Sequence, residues 1–543
     1  MRKNLRILAA LICFHLPVYA QKPPDTVAAL LKGNEKVPAE VIRATRDFRQ
    51  RLLTDPYRPA FHFSIPEDYC FNGDPNGAFY KDGLYHLMFL YNKTGVGPSW
   101  GHASSADLLH WRNHPDAIAP GDGDEGCFSG GAFVDDDGTA ILSYWMLWGA
   151  KGIGLATSKD YDVWKKSPAN PVIKSTEWGI TEMKDASGND IHVGSADPSN
   201  IWKKDGRYYM LTGNLLVLHK YGIKDDSPTD ERGDRLYLFS SDNLKDWKYL
   251  HRFYESRREW TDASEDNMCP SFLPLPSAPA GGKPSDKYCL LSISHNKGCQ
   301  YYIGDYRNDH FYPEQHGRMT WKDNAYFAPE ALMDAQGRQI MWGWIFDDRP
   351  DSVKYHYGWT GSYSLPRTLW LAKDGTLGIR PAPELTKLRL GMHVKKNINV
   401  SAGQEIPLSD FGSELMELEV TLQTGSAAQA GVKVNCSADD REQTSIFYDT
   451  QDKKLKFDAT KSGLAWGRKI VEEAPFELKK GEPLVLHVYV DKGIVEVFAN
   501  DRQAIGRAVY PTLKGTGIKL FAHGGNVKVL TVRAWQLAPA NPY

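Results

Sequence analysis

Three short stretches of this sequence place carboxylates beside a Pro or a Cys-Pro pair. Residues 72–77 are Asn-Gly-Asp-Pro-Asn-Gly, residues 195–198 are Ser-Ala-Asp-Pro, and residues 265–270 are Glu-Asp-Asn-Met-Cys-Pro. Two carboxylates that flank a glycosidic bond can cleave it, because one attacks the anomeric carbon while the other protonates the leaving oxygen. Each residue of Asp-Pro-Asn-Gly also favours tight turns, so the first stretch alone predicts either a reactive carboxylate or a simple turn.

Other reactive groupings have less support. The chain contains neither a Cys-x-x-Cys pair nor a His-Glu-x-x-His helix, so no zinc site is predicted. Residues 121–126 match Gly-x-Gly-x-x-Gly but are acidic and lead into a strand-like segment, whereas phosphate-binding loops open a helix. Ser294 and His295 are adjacent but lack a nucleophile elbow, so we predict a structural use for them. We expect neither a metal nor a cofactor.

Composition indicates an uncharged partner. Lys and Arg total 65 against 67 Asp and Glu, so no basic field exists to attract nucleic acid or an anionic membrane. Aromatic residues make up 12% of the chain, enough to fill large cores and to line a sugar-binding cleft. No later stretch reaches the roughly 18 apolar residues of a membrane span. A carbohydrate is therefore the expected ligand, and the oligomeric state stays open.

The first twenty residues have the form of a signal peptide. Three basic residues within the first six precede a short apolar run that ends at Ala20. We therefore expect a mature protein that begins near Gln21 and is exported to the periplasm or the medium. Six cysteines would remain after cleavage, which permits disulfides, and we expect one bridge at most.

The rest of the chain predicts an all-β protein with two domains. Helical spacing of apolar residues indicates a lead-in over residues 21–56, and hairpin turns between short strands follow it. The pattern Ser-x-Asp/Asn-x-x-x-Trp begins at Ser105, Ser158 and Ser241, which favours a repeated unit such as a propeller blade. We assign residues 57–390 to a β-propeller and 395–543, where alternating strands replace the repeat, to a β-sandwich. Residues 381–385 are the expected hinge.

The motifs together resemble glycoside hydrolase family 32, the invertases, inulinases and levanases. The likeness runs from about Phe61 to Leu537, with motifs in the family order at residues 72–77, 100–103, 107–111, 127–132, 328–330, 342–344, 358–361, 364–367 and 494–500. This resemblance implies a propeller of five blades followed by the sandwich.

The resemblance also implies roles for individual residues. Asp74 corresponds to the family's nucleophile, and Asp197 to the carboxylate that holds the sugar and stabilises the transition state. The family's acid/base lies in Glu-Cys-Pro, but here Met268 occupies that place, and a thioether cannot carry a proton. We favour Glu265 as the acid because its longer arm suits a carboxyl whose pKa must be raised, with Asp266 as the next choice. Predicted contacts with the substrate are Asn72, Trp100, Phe128, Ser129, Asp266 and Trp344.

Four departures from the family pattern fall around one sugar subsite. Besides Met268, Ala196 stands where the family has Arg, Gly73 where it has Asn, and Leu90 where it usually has Gln. We expect an exported retaining glycosidase that cleaves β-fructofuranosides such as sucrose, inulin or levan. Three alternatives remain: a hydrolase of a different sugar on this scaffold, a non-catalytic glycan-binding protein, and a transferase that makes oligosaccharides.

Overall fold

The computed structural model describes residues 39–65, 69–93, 95–185 and 187–541. The predicted signal peptide, residues 1–20, lies outside these ranges. One helix of several turns, Ala39–Thr54, has Glu40 in its first turn and Arg51 in its last, the signs that a helix dipole favours. The shorter helices are Leu215–Val217, Leu218–Gly222, Thr229–Glu231, Asp351–Tyr357 and Pro383–Leu388. Among the described residues, no helix has the length and apolar character that a membrane span requires.

In the described part of residues 70–381, five antiparallel sheets of four or more strands follow one another, each with its strands largely in chain order. The first contains β1 (Cys70–Lys81), β2 (Leu84–Lys93), β3 (Gly97–Ser105) and β4 (Arg112–Ile118). The second contains β5 (Cys127–Phe128), β6 (Ala132–Val134), β7 (Ala140–Met146), β8 (Gly152–Ser158), β9 (Lys165–Lys166) and β10 (Ile173–Lys174). A two-stranded ribbon, β11 (Ile180–Lys184) and β12 (Asp190–Gly194), follows.

The remaining three sheets repeat the same arrangement. The third contains β13 (Trp202–Lys204), β14 (Arg207–Thr212), β15 (Tyr237–Ser241) and β16 (Lys248–Arg252). The fourth contains β17 (Met268–Pro276), β18 (Pro284–Ser294), β19 (Gly298–Arg307) and β20 (His310–Arg318). The fifth contains β21 (Tyr326–Met333), β22 (Gln339–Ile345), β23 (Ser362–Tyr363), β24 (Arg367–Leu371) and β25 (Leu377–Pro381).

Hydrogen bonds join each sheet to the next and close the series into a ring. From the first joint to the last they are Gly130 N to Asn76 Oδ1 (3.2 Å), Ser143 Oγ to Ser199 O (2.8 Å), Phe272 N to Asn200 Oδ1 (2.8 Å), Asn324 Nδ2 to His295 O (3.0 Å) and Ala78 N to Glu330 Oε1 (2.7 Å). The last bond connects the fifth sheet to the first. We assign one propeller blade to each sheet and number them 1 to 5.

The repeated Ser-x-Asp/Asn-x-x-x-Trp pattern forms the turn between two outer strands in blades 1 to 3. In each copy one side-chain oxygen of Asp107, Asp160 or Asn243 accepts backbone N–H groups two and three residues later, at 2.9–3.1 Å. An Asx turn of this kind replaces backbone bonds that the ladder cannot supply at its end. The repeat in the sequence therefore marks the blade corners.

Two six-stranded sheets form the C-terminal domain. In spatial order the first contains β26 (Arg389–Val400), β37 (Val527–Leu537), β28 (Leu415–Gln423), β33 (Leu484–Asp491), β34 (Ile494–Ala499) and β35 (Gln503–Ala508). The second contains β27 (Glu405–Pro407), β36 (Gly517–His523), β29 (Gln429–Cys436), β30 (Thr444–Asp449), β31 (Lys454–Asp458) and β32 (Val471–Pro475). Alternate residues such as Met416, Leu418, Val420 and Leu422 fill the core between them. The predicted all-β propeller followed by a sandwich is confirmed.

A buried ionic network links the propeller to the sandwich. Arg367 of β24 forms an ion pair with Glu496 of β34, with 2.5 Å between Nη2 and Oε2. His62 bridges the two sandwich carboxylates, with Nδ1 2.9 Å from Asp491 and Nε2 3.1 Å from Glu496. All four side chains are fully buried. Burial lowers the pKa of His62, but its hydrogen bonds to Asp491 and Glu496 raise it to about 9, so the imidazole is charged at neutral pH.

A stack of histidines lies within blade 1. The rings of His102 and His114 are 4.2 Å apart and nearly parallel, and His86 Nδ1 lies 2.9 Å from His102 Nε2. Burial, together with the charge of His114, lowers the pKa of His86 to about 4 and that of His102 to about 2. Both imidazoles are therefore neutral in the folded protein.

We expect this stack to make the fold sensitive to acid. Below pH 6.5 the unfolded chain protonates both histidines and the folded chain does not, so the free energy of unfolding falls by about 1.4 kcal/mol per pH unit for each histidine. Urea unfolding of the wild type and His86→Gln between pH 6.5 and 4.5 measures this loss. The loss should be smaller in His86→Gln and unchanged in His356→Gln, whose side chain is exposed. Equal pH dependence in all three proteins would contradict the prediction.

Candidate active site at the propeller axis

The innermost segments of the five blades are interrupted at the axis, in four of them at a residue followed by Pro. The register of β1 shifts across Asp74, that of β17 across Cys269 and that of β21 across Ala328. Asp197 lies between the isolated bridge that pairs Ala196 with Gly213 and the start of β13. Asp197, Cys269 and Ala328 have φ values of 34°, 49° and 41°. Pro cannot donate to a ladder, and a bulge redirects the side chain beside it. In blade 2 the break is at Ser129, between β5 and β6.

Four of these side chains meet. Ser129 Oγ donates to Asp74 Oδ2 at 2.5 Å. Cys269 Sγ lies 3.4 Å from Asp74 Oδ2 and 3.3 Å from Asp197 Oδ2, so one thiol bridges the two carboxyl groups. Asp74 and Asp197 are 9% and 5% exposed. The structure thus brings together, from four blades, the predicted nucleophile, the predicted sugar-holding carboxylate and Ser129.

Burial and mutual repulsion control the charge of this pair. Burial raises the pKa of Asp74, while hydrogen bonds from Ser129 and Cys269 and the charge of His295 lower it, with a net rise. Burial and then the charge of Asp74 raise the pKa of Asp197 to about 7. Burial and both carboxylates hold the pKa of Cys269 far above its usual range, so Cys269 remains a thiol that donates to the pair.

Glu265, the predicted acid, is not brought to this cluster. Its two carboxylate oxygens lie 2.8 and 2.9 Å from Arg318 Nη2 at the end of β20, and the residue is 2% exposed. Burial raises its pKa despite the charge of Arg318, which fits an acid, but the Arg318 guanidinium occupies both carboxylate oxygens. The structure places Glu265 in an ion pair with Arg318, and its acid role stays a prediction. Met268 is buried, and its sulfur accepts from Leu215 N at 3.5 Å.

Asp266 instead holds a histidine. One carboxylate oxygen accepts from the backbone N–H of His295 at 2.8 Å, and the other lies 2.6 Å from His295 Nδ1. The His295 side chain is 45% exposed, packs edge-on against Phe327 at 5.6 Å, and interacts electrostatically with Asp74 and Asp197. Sequence reasoning assigned His295 a structural use. The sequence carries no signal for this placement, which follows from the pairing of β18 with β17, in which Ile293 lies opposite Met268.

The predicted substrate contacts differ in how deeply they are buried. Trp100 is fully buried, and its indole N–H donates to the Phe128 carbonyl oxygen at 3.0 Å. It therefore supports Phe128 from within the core and has no exposed surface for a sugar. Phe128 is half-buried at the end of β5, and Trp344 is half-buried at the end of β22, against Phe346 with ring centroids 4.3 Å apart. Both can line a cleft. The side chain of Asn72 lies outside the described part of the structure.

One set of side chains has the composition of a metal site. Within the described ranges, His102, His114 and Asp162 bring three ligand atoms within 4.8 Å of one another. The two imidazoles are stacked almost parallel, so their in-plane lone pairs do not converge, and Asp162 is bound to His114 Nδ1. This arrangement suits a hydrogen-bonded stack better than a metal centre.

Comparison with known proteins identifies the family. Residues 62–381 match the model of the glycosyl hydrolases family 32 N-terminal domain, and residues 384–536 match that of the family 32 C-terminal domain. A levanase of Bacillus subtilis is 29% identical over 89% of this chain and 72% of its own length. A sucrose-6-phosphate hydrolase of Zymomonas mobilis is 27% identical, covering 91% of this chain and 94% of its own.

Solved structures show the same fold. Fructan 1-exohydrolase IIa from Cichorium intybus superimposes with a TM-score of 0.75 at 21% identity, covering 90% of this chain and 98% of its own. Exo-inulinase from Aspergillus awamori gives 0.71 at 21% identity, covering 90% and 99%. Because the two family models together match most of the sequence, in the order of the two observed domains, the chain belongs to glycosyl hydrolase family 32 and is a glycosidase.

Proposed function

We propose that the protein is an exported, retaining glycosidase that hydrolyses β-fructofuranosidic bonds in sucrose or in fructans such as inulin and levan. The observation that carries this proposal is the pair of buried carboxyl groups, Asp74 and Asp197, that share the Cys269 thiol at the axis. The relatives named levanase and sucrose-6-phosphate hydrolase support a fructosyl substrate. The basic and then apolar character of residues 1–20 supports export.

In this mechanism the two carboxylates have different tasks. Asp74 attacks the anomeric carbon and forms a covalent fructosyl ester, which water later hydrolyses, so the configuration is retained. Ser129 orients the carboxylate of Asp74 by donating to Oδ2. Asp197 accepts hydrogen bonds from sugar hydroxyls and stabilises the positive charge that develops on the ring. No step requires a cofactor.

The wall around this pair is more apolar than the family pattern implies. Ala196, where the family has Arg, is fully buried in a hydrophobic cluster and offers no donor to a hydroxyl. A Cβ on Gly73 would lie 3.2 Å from the Leu90 side chain, so Leu90 fills the space that the family's Asn would need. These contacts favour a second candidate function, the hydrolysis of another furanoside that presents fewer hydroxyl groups to this side of the site.

Incubation with a panel of sugars tests both candidates. The purified protein should release fructose from sucrose, inulin or levan, and NMR at early times should show the β-anomer first, because two successive displacements retain configuration. An α-anomer appearing first would contradict retention. Release from non-fructose furanosides alone would favour the second candidate, and saturable binding without release would indicate a glycan-binding protein. Oligosaccharides that accumulate at high sucrose concentration would indicate a transferase.

A further inference from the structure

Met268 occupies the position at which family 32 has its acid/base glutamate, so the reaction needs a different proton donor. Near the Asp74–Asp197 pair, most acidic groups in the described structure are already committed. Glu265 is bound on both oxygens by Arg318, and the Cys269 thiol is held protonated by the two carboxylates it bridges. Asp266 is bound to His295, whose imidazole is the half-exposed group that remains.

We propose that His295, oriented by Asp266, is the proton donor and acceptor of this glycosidase. The inference rests on the proposed function, and it assigns the task of the missing glutamate to a histidine–aspartate pair. Three contacts fix the imidazole: Nδ1 donates to Asp266, the backbone N–H donates to the same carboxylate, and the ring packs against Phe327. With Nδ1 committed to Asp266, Nε2 is the nitrogen that can reach a substrate.

The position of His295 follows from the sheet of blade 4. Ile293 of β18 pairs with Met268 of β17, so the chain leaves the ladder beside Met268, and His295 is the second residue after that pair. The His295 carbonyl accepts from Asn324 Nδ2 at 3.0 Å, which ties this turn to blade 5. The histidine therefore enters the site from the strand next to the one that carries the methionine.

The surroundings favour the charged imidazole at the start of the reaction. Burial lowers the pKa of His295, but the Asp266 hydrogen bond and the charges of Asp266, Asp197 and Asp74 produce a net rise. These carboxylates lie on three separate segments: Asp266 before β17, Asp197 before β13 and Asp74 in β1. An imidazolium has a proton to give at neutral pH, as general acid catalysis requires.

Bonds and protons balance over the two proposed steps, glycosylation and hydrolysis. The Asp74 carboxylate bonds to the anomeric carbon as the bond to the leaving oxygen breaks, and that oxygen takes the Nε2 proton, which leaves neutral imidazole. Water then loses a proton to Nε2 as its oxygen bonds to the anomeric carbon, and the bond to Asp74 breaks. The products are the free sugar, the released alcohol and the original imidazolium–carboxylate enzyme.

Asp197 is the competing donor because its pKa is about 7. Its carboxyl shares the Cys269 thiol with Asp74, so the two carboxyl groups are close neighbours. In a retaining displacement the leaving oxygen departs from the side opposite the nucleophile. Asp197→Asn is therefore the comparison that distinguishes a donor role of Asp197 from that of His295.

Substrates with different leaving groups distinguish a general acid from a nucleophile or a binding residue. We compare kcat/KM of the wild type and His295→Gln on sucrose, whose leaving sugar needs a proton, and on p-nitrophenyl β-fructofuranoside, whose phenolate leaves without one. The variant should lose about 10²–10⁴-fold on sucrose and much less on the aryl substrate. Retained aryl hydrolysis also demonstrates that the variant folds. Glu265→Gln, Asp197→Asn and His356→Gln are the comparison variants.

The pattern of activity loss across these variants identifies the proton donor. Asp197→Asn should lose activity on both substrates alike, and His356→Gln on neither. If His295→Gln keeps sucrose hydrolysis within a few-fold, or loses both substrates equally, His295 is not the acid, although the proposed function stands if the wild type releases fructose. A selective loss on sucrose in Glu265→Gln would give the role to Glu265. A wild type that releases no sugar overturns both proposals.

The pH profile supplies an independent check. The alkaline limb of kcat/KM on sucrose reports the loss of the donor's proton. Asp266 raises the pKa of His295, so Asp266→Asn should move this limb to lower pH. A limb that Asp266→Asn leaves in place would overturn the assignment.

Discussion

Asp74→Asn should lower kcat for glycoside hydrolysis by about 10⁴-fold or more, a loss typical of removing a nucleophile. An amide cannot form the ester intermediate. Its oxygen can still accept the hydrogen bond that Ser129 donates to Asp74, so the fold should survive. Sugar release over long incubations measures the residual rate, and circular dichroism verifies folding.

The matched control for this variant is Asp190→Asn. Asp190 lies in the β11–β12 ribbon with a side chain that is 84% exposed, so the same chemical change there should leave kcat unaltered. A tenth or more of wild-type activity in Asp74→Asn would remove Asp74 from the nucleophile's role and leave its carboxylate as a structural or binding group.

Glu496→Ala should reduce the free energy of unfolding by about 3–5 kcal/mol, because it leaves buried positive charge without its partner. Glu496 neutralises Arg367 and binds His62, and it also accepts the Leu365 N–H at 2.6 Å. Urea unfolding at pH 7 measures the loss. The variant should also separate the unfolding of propeller and sandwich, since this network lies between them.

An exposed ion pair gives the comparison for this stability effect. Glu473 and Lys454 lie 2.9 Å apart in the sandwich with side chains that are 39% and 37% exposed. Glu473→Ala should cost at most about 1 kcal/mol, because water screens both charges. Equal losses in the two variants would mean that the buried network contributes no more than a surface pair.

Local sequence patterns were enough to predict the all-β class, and the resemblance to family 32 supplied three of the axial residues, Asp74, Ser129 and Asp197. The Asx turns at Asp107, Asp160 and Asn243 depend on neighbours within three residues, so their repeat was visible in the sequence. Asp74 and Asp197 were assigned their roles because the Asp-Pro motif around each resembles one in family 32. Closure of the ring, by contrast, depends on bonds such as Ala78 to Glu330, which connect residues far apart in the chain.

Which way a side chain points was harder to predict than which strand or turn carries it. Glu265 is close to Met268 in sequence, yet its carboxylate turns to Arg318, which is 53 residues away. Trp100 belongs to a strand that is buried along nearly its whole length, so alternation gave no sign that it faces inward. His295 reaches the site through the pairing of two strands, which only the folded sheet defines.

The breaks at the axis bear on how this scaffold can change its chemistry. Residues 74, 129, 197, 269 and 328 are each supplied by a separate blade, and intact ladders lie on the outer side of every break. A substitution at one of these positions leaves the pairing of the other four sheets untouched. Change at the axis can therefore be made one blade at a time, within the set of side chains that the left-handed backbone at residues 197, 269 and 328 tolerates.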